Sequence, residues 1–215
     1  MSAQTMLLLE PFTLKVSLAV RLDDDFSPMS RVSGKVVVSL MDRHNQPVKN
    51  RSGYYVFLGI AAGDIVVQVR SQWYLDEDRT LSLPLPDPLN PLQAITLMPN
   101  WLYPFPQRAT LISGRVQDGG GVAVANAQVR LVTLQGRQVG NRTAGDGRFV
   151  LYVTGLTENH VQATKQGRVL LTSDGGTSFQ LETSHADFQT KSTSIDNVME
   201  GETLFLAQPI TLPKT

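Results

Sequence analysis

Gly147-Arg148-Phe149-Val150-Leu151 stands 94 residues after Gly53-Tyr54-Tyr55-Val56-Phe57, and each phrase begins on a glycine that opens an apolar run. The same shift lays Leu18-Ala19-Val20-Arg21-Leu22-Asp23-Asp24 over Ile112-Ser113-Gly114-Arg115-Val116-Gln117-Asp118, and Val36-Val37-Val38-Ser39-Leu40 over Arg130-Leu131-Val132-Thr133-Leu134. Both halves close on one phrase, Ile95-Thr96-Leu97 and Ile210-Thr211-Leu212, by which point the offset has grown to 115. Self-similarity at a fixed spacing marks a duplicated unit. The drift in offset gives the second copy about 21 extra residues. We expect them in the polar stretch from Ser173 to Gly201, read as a long loop.

Each copy reads as strands. Short runs rich in Val, Leu, Ile and Thr alternate with polar residues and are punctuated by Gly, Pro, Asn and Asp. The first copy gives Phe12 to Leu22, Lys35 to Met41, Gly53 to Leu58, Asp64 to Val69, Leu81 to Leu85 and Ala94 to Met98. Leu14, Val16, Leu18, Val20 and Leu22 share one face at period two. The second copy gives Ala109 to Gln117, Ala127 to Leu134, Arg148 to Val153, His160 to Lys165, Val169 to Thr172 and Leu204 to Leu212. Gly145-Asp146-Gly147 reads as a hairpin-type turn, since Asp-Gly supplies positive φ readily. Pro84, Pro86, Pro88 and Pro91 cannot donate ladder hydrogen bonds, so they mark an edge or a connection. No stretch shows a capped amphipathic helix. The expectation is an all-β chain with a sandwich over residues 1–98, a linker over 99–107 and a second sandwich over 108–215.

That linker, Pro99-Asn100-Trp101-Leu102-Tyr103-Pro104-Phe105-Pro106-Gln107, carries three prolines and reads as stiff and extended. Trp101, Tyr103 and Phe105 alternate along it and can point the same way. Such rings either pack between the sandwiches or form a protein interface, and the sequence leaves both open.

The phrase Gly121-Val122-Ala123-Val124-Ala125-Asn126-Ala127-Gln128-Val129-Arg130-Leu131, followed by Thr143-Ala144-Gly145-Asp146-Gly147-Arg148-Phe149, resembles the carboxypeptidase regulatory-like domain. The resemblance covers residues 109–156 and implies a transthyretin-like (prealbumin-like, Ig-like) β-sandwich, here in tandem with a diverged first copy. Ala123 stands where that family has proline, Asn126 where it has glycine and Ala144 where it has aspartate. Motifs of this kind fix backbone geometry and transfer fold rather than function. The overall plan, with the junction from Leu97-Met98-Pro99 to Tyr103-Pro104-Phe105-Pro106, is also similar to accessory proteins encoded beside phage-tail-like contractile injection particles. That likeness implies a cap, adaptor or decoration role in such a particle.

Enzymes on the same fold set a chemical test. Intradiol dioxygenases hold iron with two tyrosines and two histidines, whereas His44, His160 and His185 are far apart in sequence. Hydroxyisourate hydrolases end in Tyr-Arg-Gly-Ser, and this chain ends Leu212-Pro213-Lys214-Thr215. Asp23-Asp24-Asp25 and Asp76-Glu77-Asp78 lack the spacing of a calcium loop and read as solvated charge. Ser184, His185 and Asp187 come without a nucleophile elbow, and Gly119-Gly120-Gly121 without the Lys-Ser/Thr of a phosphate loop. Trp73 and Tyr74 are the candidate ligand edge, able to stack on a sugar. We therefore expect no catalytic, cofactor or metal site.

Composition narrows the partners. Net charge is zero, with 19 Lys and Arg against 19 Asp and Glu, which removes the basic face a nucleic-acid binder needs. Cysteine is absent, so disulfides and thiolate chemistry are excluded. The segment Met6-Leu7-Leu8-Leu9-Glu10 lacks the basic flank and length of a signal peptide, and no membrane insertion is expected. The sequence therefore points to a cytoplasmic, non-catalytic structural or interaction protein whose partners are other protein subunits. A carbohydrate or surface-ligand binding module is the alternative.

Overall fold

The computed structural model describes residues 15–28, 30–41, 44–132, 134 and 139–214. Seventeen strands and one 3-10 turn make up the regular structure of those residues. The first copy holds β1 (Val16–Asp24), β2 (Val36–Leu40), β3 (Val48–Lys49), β4 (Tyr55–Leu58), β5 (Gly63–Ser71), β6 (Glu77–Leu83) and β7 (Leu92–Leu97). The second holds β8 (Thr110–Asp118), β9 (Gln128–Val132), β10 (Val139–Arg142), β11 (Arg148–Val153), the 3-10 turn Glu158–His160, β12 (Val161–Thr164), β13 (Gly167–Leu170), β14 (Ser178–His185), β15 (Phe188–Asp196), β16 (Thr203–Phe205) and β17 (Ile210–Leu212). Among the described residues, no helix is long and apolar enough to cross a membrane. The expected residues Phe12, Thr13, Leu14 and Thr133 lie outside the described ones.

The repeat is topological as well as sequential. In the first copy one sheet runs β3-β4-β1-β7 and the other β2-β5-β6; in the second, β11-β8 with β16 and β17 on the far side of β8 faces β10-β9-β14-β15. Register repeats residue for residue: Val20 opposes Tyr55, Ala19 Val56 and Leu18 Phe57, and 94 residues on, Gly114 opposes Phe149, Ser113 Val150 and Ile112 Leu151. The match ends where β1 bulges between Val16 and Leu18, since one extra residue shifts the pairing. Period-two alternation fills both interiors. Leu18, Val20, Phe57 and Ile95 on one sheet of the first copy and Val38, Leu40, Ile65 and Val67 on the other are all buried. Ile112, Val116, Phe149, Leu151, Leu181 and Leu212 anchor the core of the second. The fold is all-β, built of sandwich domains.

The extra residues of the second copy do not lie where the sequence suggested. Four residues, 59–62, join β4 to β5, whereas 24 residues, 154–177, join β11 to β14. The insertion is therefore the 3-10 turn with the β12–β13 ribbon, and the offset of 115 already holds at the start of β14, where Ser178 corresponds in the repeat to Gly63 of β5. The stretch from Ser173 to Gly201 is not a long loop but mostly the β14–β15 hairpin. Phe179, Leu181, Thr183 and Ile195 of that hairpin are buried, and β14 also pairs with β9. Its polar composition concealed a strand whose outward positions are Ser, Gln and Glu and whose inward ones include a threonine.

The Gly145-Asp146-Gly147 turn also differs from a hairpin. It is tight, with the Gly147 N–H on Ala144 O at 2.9 Å and the Ala144 N–H on Arg148 O at 2.8 Å. However, β10 pairs with β9 and β11 with β8, so the turn carries the chain from one sheet to the other. Gly147 holds φ +77° as the sequence predicts. Asn126 holds φ +57°, and asparagine is among the few residues that enter this region at small cost.

Contacts divide the chain into two compact units, one of Met1–Leu22, Val37–Val69 and Glu77–Ile95, the other of Asp23–Val36, Arg70–Asp76 and Thr96–Thr215. The second unit thus takes in the end of β1, the segment after β5 and all of residues 99–107.

Candidate functional site

Within the second unit, Asp24 closes β1 and is 1% exposed. Its Oδ2 accepts the hydroxyls of Tyr74 at 2.8 Å and Tyr103 at 2.7 Å, and its Oδ1 accepts the backbone N–H groups of Phe26 at 2.9 Å and Ser27 at 3.3 Å. A carboxylate out of water requires this kind of compensation. Asp24 is therefore a structural group, and its place in a solvated acidic run is corrected.

Five rings surround it. Phe26 lies 5.7 Å from Tyr103, 5.1 Å from Phe105 and 5.6 Å from Tyr152, centroid to centroid. Tyr103 meets Tyr74 at 5.5 Å and Phe105 at 4.7 Å. Tyr152 of β11 gives its hydroxyl to Asp25. Burial, then the hydrogen bond to Asp24, pushes the pKa of Tyr74 and of Tyr103 above the ordinary tyrosine value. Burial and Asp25 do the same for Tyr152. Every polar tip in the cluster is taken up by another member.

Residues 99–107 were expected to run extended, but they turn. The Tyr103 N–H donates to Asn100 O at 3.1 Å and the Phe105 N–H to Tyr103 O at 2.8 Å. The Asn100 amide donates to Gln72 O at 2.9 Å and Tyr74 O at 3.1 Å, while its Oδ1 accepts the Leu102 N–H at 2.8 Å. Buried Asn141 of β10 holds Pro99 O at 2.9 Å. Because the chain turns, the three rings part company. Tyr103 and Phe105 enter the cluster half-buried, whereas Trp101 stays 37% exposed beneath the Arg148 guanidinium at 4.2 Å. Met98 and Leu102 beside it are 39% and 43% exposed.

Of the candidate ligand edge, Tyr74 is buried at 1% exposure and has no face to offer a sugar. Trp73 is half-buried, and its ring lies against Gly34 so closely that a Cβ there would sit 2.6 Å from Cε3. Gly34 is the glycine that lets this ring lie flat. A small polar recess next to Tyr74 is lined by Ser71, Asp76, Asn100, Asn126 and Thr143.

His160 and His185 serve local turns. His160 Nδ1 accepts the Thr157 N–H at 3.1 Å, and His185 Nδ1 accepts the Asp187 N–H at 3.2 Å at the tip of the β14–β15 hairpin. Asp76 is exposed and pairs with Arg70 at 3.5 Å, and Glu77 pairs with Arg79 at 3.0 Å. Among the described residues, no three His, Cys, Asp or Glu side chains gather in a way that could hold a metal ion. The sequence reading missed Asp24, Asp25, Phe26 and Tyr152. The usable signal was Tyr152 on a strand that otherwise points apolar residues inward, since a buried tyrosine hydroxyl needs a partner.

No protein-family model and no curated protein matches the sequence. Among solved structures the chain is similar to the Bacillus anthracis TIE protein, at 9% identity over 93% of this chain and 34% of that one, with a TM-score of 0.33. It is also similar to GBS52, the minor pilin of Streptococcus agalactiae, at 10% identity over 93% and 97% of the two chains, with a TM-score of 0.31. The shaft pilin SpaA from Lactobacillus rhamnosus GG, as an E269A/D295N double mutant, gives 10% over 94% and 98%, with a TM-score of 0.29. The chain spans about a third of the TIE protein's length and 62% of that of a Streptococcal ancillary pilin it also matches. Superpositions this loose carry neither topology nor role from those proteins to this chain.

Proposed function

We propose that this chain is a non-catalytic structural or interaction protein, a building block of a larger protein assembly, and that it docks through the loop from Met98 to Leu102. One observation carries the reading: Met98, Trp101 and Leu102 stay exposed on a segment whose backbone Asn100 pins in place. Exposed apolar side chains cost little to bury when the loop is already ordered. Tryptophan and arginine, here Trp101 beneath Arg148, are among the residues most enriched where binding energy concentrates. Tyr103 and Phe105 then act as the footing of this loop rather than as contact residues. The closed Asp24 cluster fits a scaffold, because the tyrosine hydroxyls around it are already taken up by carboxylates. A phage-tail-like contractile particle is the most concrete assembly of this kind, and that narrower identity rests on resemblance of plan.

Fractionation of the native source tests the reading. The wild-type chain should travel with larger partners, and Trp101→Ala with Leu102→Ala should release it as a folded, free protein. A wild-type chain that is always free would overturn the assembly role. Release that does not occur with the double variant would overturn the loop's part in it.

A further inference from the structure

A cleft of about 580 Å³ opens over β9, β10 and β14, and its lining residues all belong to the second unit. That volume lies inside the ~300–1,000 Å³ range of small-molecule sites. Strand alternation builds it: Val129 and Leu131 of β9 turn into the core, so Gln128, Arg130 and Val132 stand outward. Register then sets Gly140 of β10 on one side of Arg130 and Glu182 of β14 on the other. Arg130 pairs with Glu182, which draws its guanidinium toward β14, and the β10 side keeps only a glycine.

Met98 and Asp25 form the wall beside β10. Hydrogen bonds fix that wall before any ligand arrives. The buried Asn141 amide donates to Pro99 O and Val150 O, each at 2.9 Å, and Met98 O accepts the Leu75 N–H at 2.9 Å. Asp25 accepts the Tyr152 hydroxyl. A preformed cleft spares a ligand the cost of ordering it.

The lining selects for chemistry. Two carboxylates, Asp25 and Glu182, and one guanidinium, Arg130, border the cleft, so a ligand of either charge is repelled by one kind of group. An apolar ligand would strip these groups and the Gln128 amide of water without replacing it. A neutral molecule dense in hydroxyls meets all of them, since each hydroxyl both donates and accepts. A carboxylate can accept several donors and the Gln128 amide offers two donors and an acceptor. Met98 and Val139 supply soft apolar contact for the C–H face of a sugar ring.

We propose that this cleft binds a short, uncharged saccharide. The inference goes beyond the assembly reading: Met98 is common to the cleft and the docking loop, but the cleft needs no protein partner. With Tyr74 buried, this cleft rather than the Trp73 and Tyr74 edge is the place for a sugar.

The test titrates maltose, cellobiose, lactose and N,N′-diacetylchitobiose into the full chain carrying methyl-labelled methionine. At least one should bind and shift the Met98 methyl resonance, while Met41, exposed in the first unit, stays unmoved. Gly140→Leu puts a side chain into the cleft and should abolish binding with far-UV circular dichroism unchanged. A Cβ there meets only the flexible Arg130 stem at 3.2 Å and backbone at 3.4 Å or more. Gln128→Ala, which removes hydrogen bonds and adds no bulk, should weaken binding about threefold to tenfold. Gln162→Ala on the exposed β12 strand should match wild type, and so should Trp101→Ala with Leu102→Ala. No binding by any of these sugars, a Met98 resonance that does not move, or affinity unchanged by Gln128→Ala overturns the proposal. A larger Met98 shift with spermidine or with a glutamate-rich peptide overturns the ligand class. None of these outcomes bears on the assembly reading, which fractionation of the native source decides separately.

Discussion

Gly53 and Gly147 are the same residue of the repeat, and the structure gives them different burdens. Both hold positive φ, +90° and +77°, so alanine at either is strained by about 1 kcal/mol. A Cβ at Gly53 would meet nothing within 4 Å. At Gly147 it would lie 2.4 Å from Val116 O and 3.2 Å from the Ala123 Cβ, roughly 1 Å short of ordinary contact with a backbone atom. Relief means moving the strand whose Val116 N–H donates to Gly147 O at 2.8 Å and whose Val116 O accepts the Val124 N–H at 3.1 Å. Each weakened bond costs about 1 kcal/mol. Gly147→Ala should therefore destabilise by about 2–4 kcal/mol and Gly53→Ala by about 1 kcal/mol. Urea unfolding followed by far-UV circular dichroism measures both. Tryptophan fluorescence isolates the second unit, since Trp73 and Trp101 both belong to it. Equal costs at the two glycines would refute the steric reasoning and leave only the shared strain in φ.

Asp24→Asn places an NH2 among four donors that all need an acceptor, and the second unit should lose about 2–3 kcal/mol, read from the fluorescence-detected urea midpoint; Asp23→Asn is the neighbouring control. Tyr74, Tyr103 and Tyr152 hold their hydroxyl protons more tightly in the folded state, with pKa values above the ordinary 10.0 of tyrosine. The unfolded chain therefore releases these protons first, and stability should hold below pH 10 and fall as pH rises beyond it. Absorbance at 295 nm during alkaline titration should show these tyrosinates appearing late, together with loss of the native fluorescence; early appearance in a folded protein would refute the burial argument. Thr183 is fully buried in β14 and its Oγ1 has no hydrogen-bond partner, so Thr183→Val should stabilise by about 1 kcal/mol, and a lower thermal midpoint would show the hydroxyl to be satisfied.

The strands, the duplication and the glycine turn were legible because each is local. Period-two apolar runs around Leu18, Phe57, Ile112 and Leu151 write the inward face directly, and Gly53 and Gly147 record a backbone angle that few side chains tolerate. The β14–β15 hairpin was not legible by composition. Its inward face includes Thr183, and whether a threonine faces a core or water depends on what lies opposite. The aromatic loop was half legible: rings and prolines were visible, but the hydrogen bonds of Asn100 and Asn141 decide that the chain turns there and sends Trp101 away from Tyr103 and Phe105.

What the sequence determined by itself is the repeated all-β plan, since strand period and turn chemistry are properties of adjacent residues. Only the tertiary structure decided that Asp24 is buried, that the insertion is the β12–β13 ribbon and that β16 pairs in parallel with β8. Those facts depend on groups brought together from 50 to 100 residues apart, as Asp24 is with Tyr74 and Tyr103 and as Thr203 is with Leu111. Burial and pairing are set by such neighbours, which no local run of residues specifies.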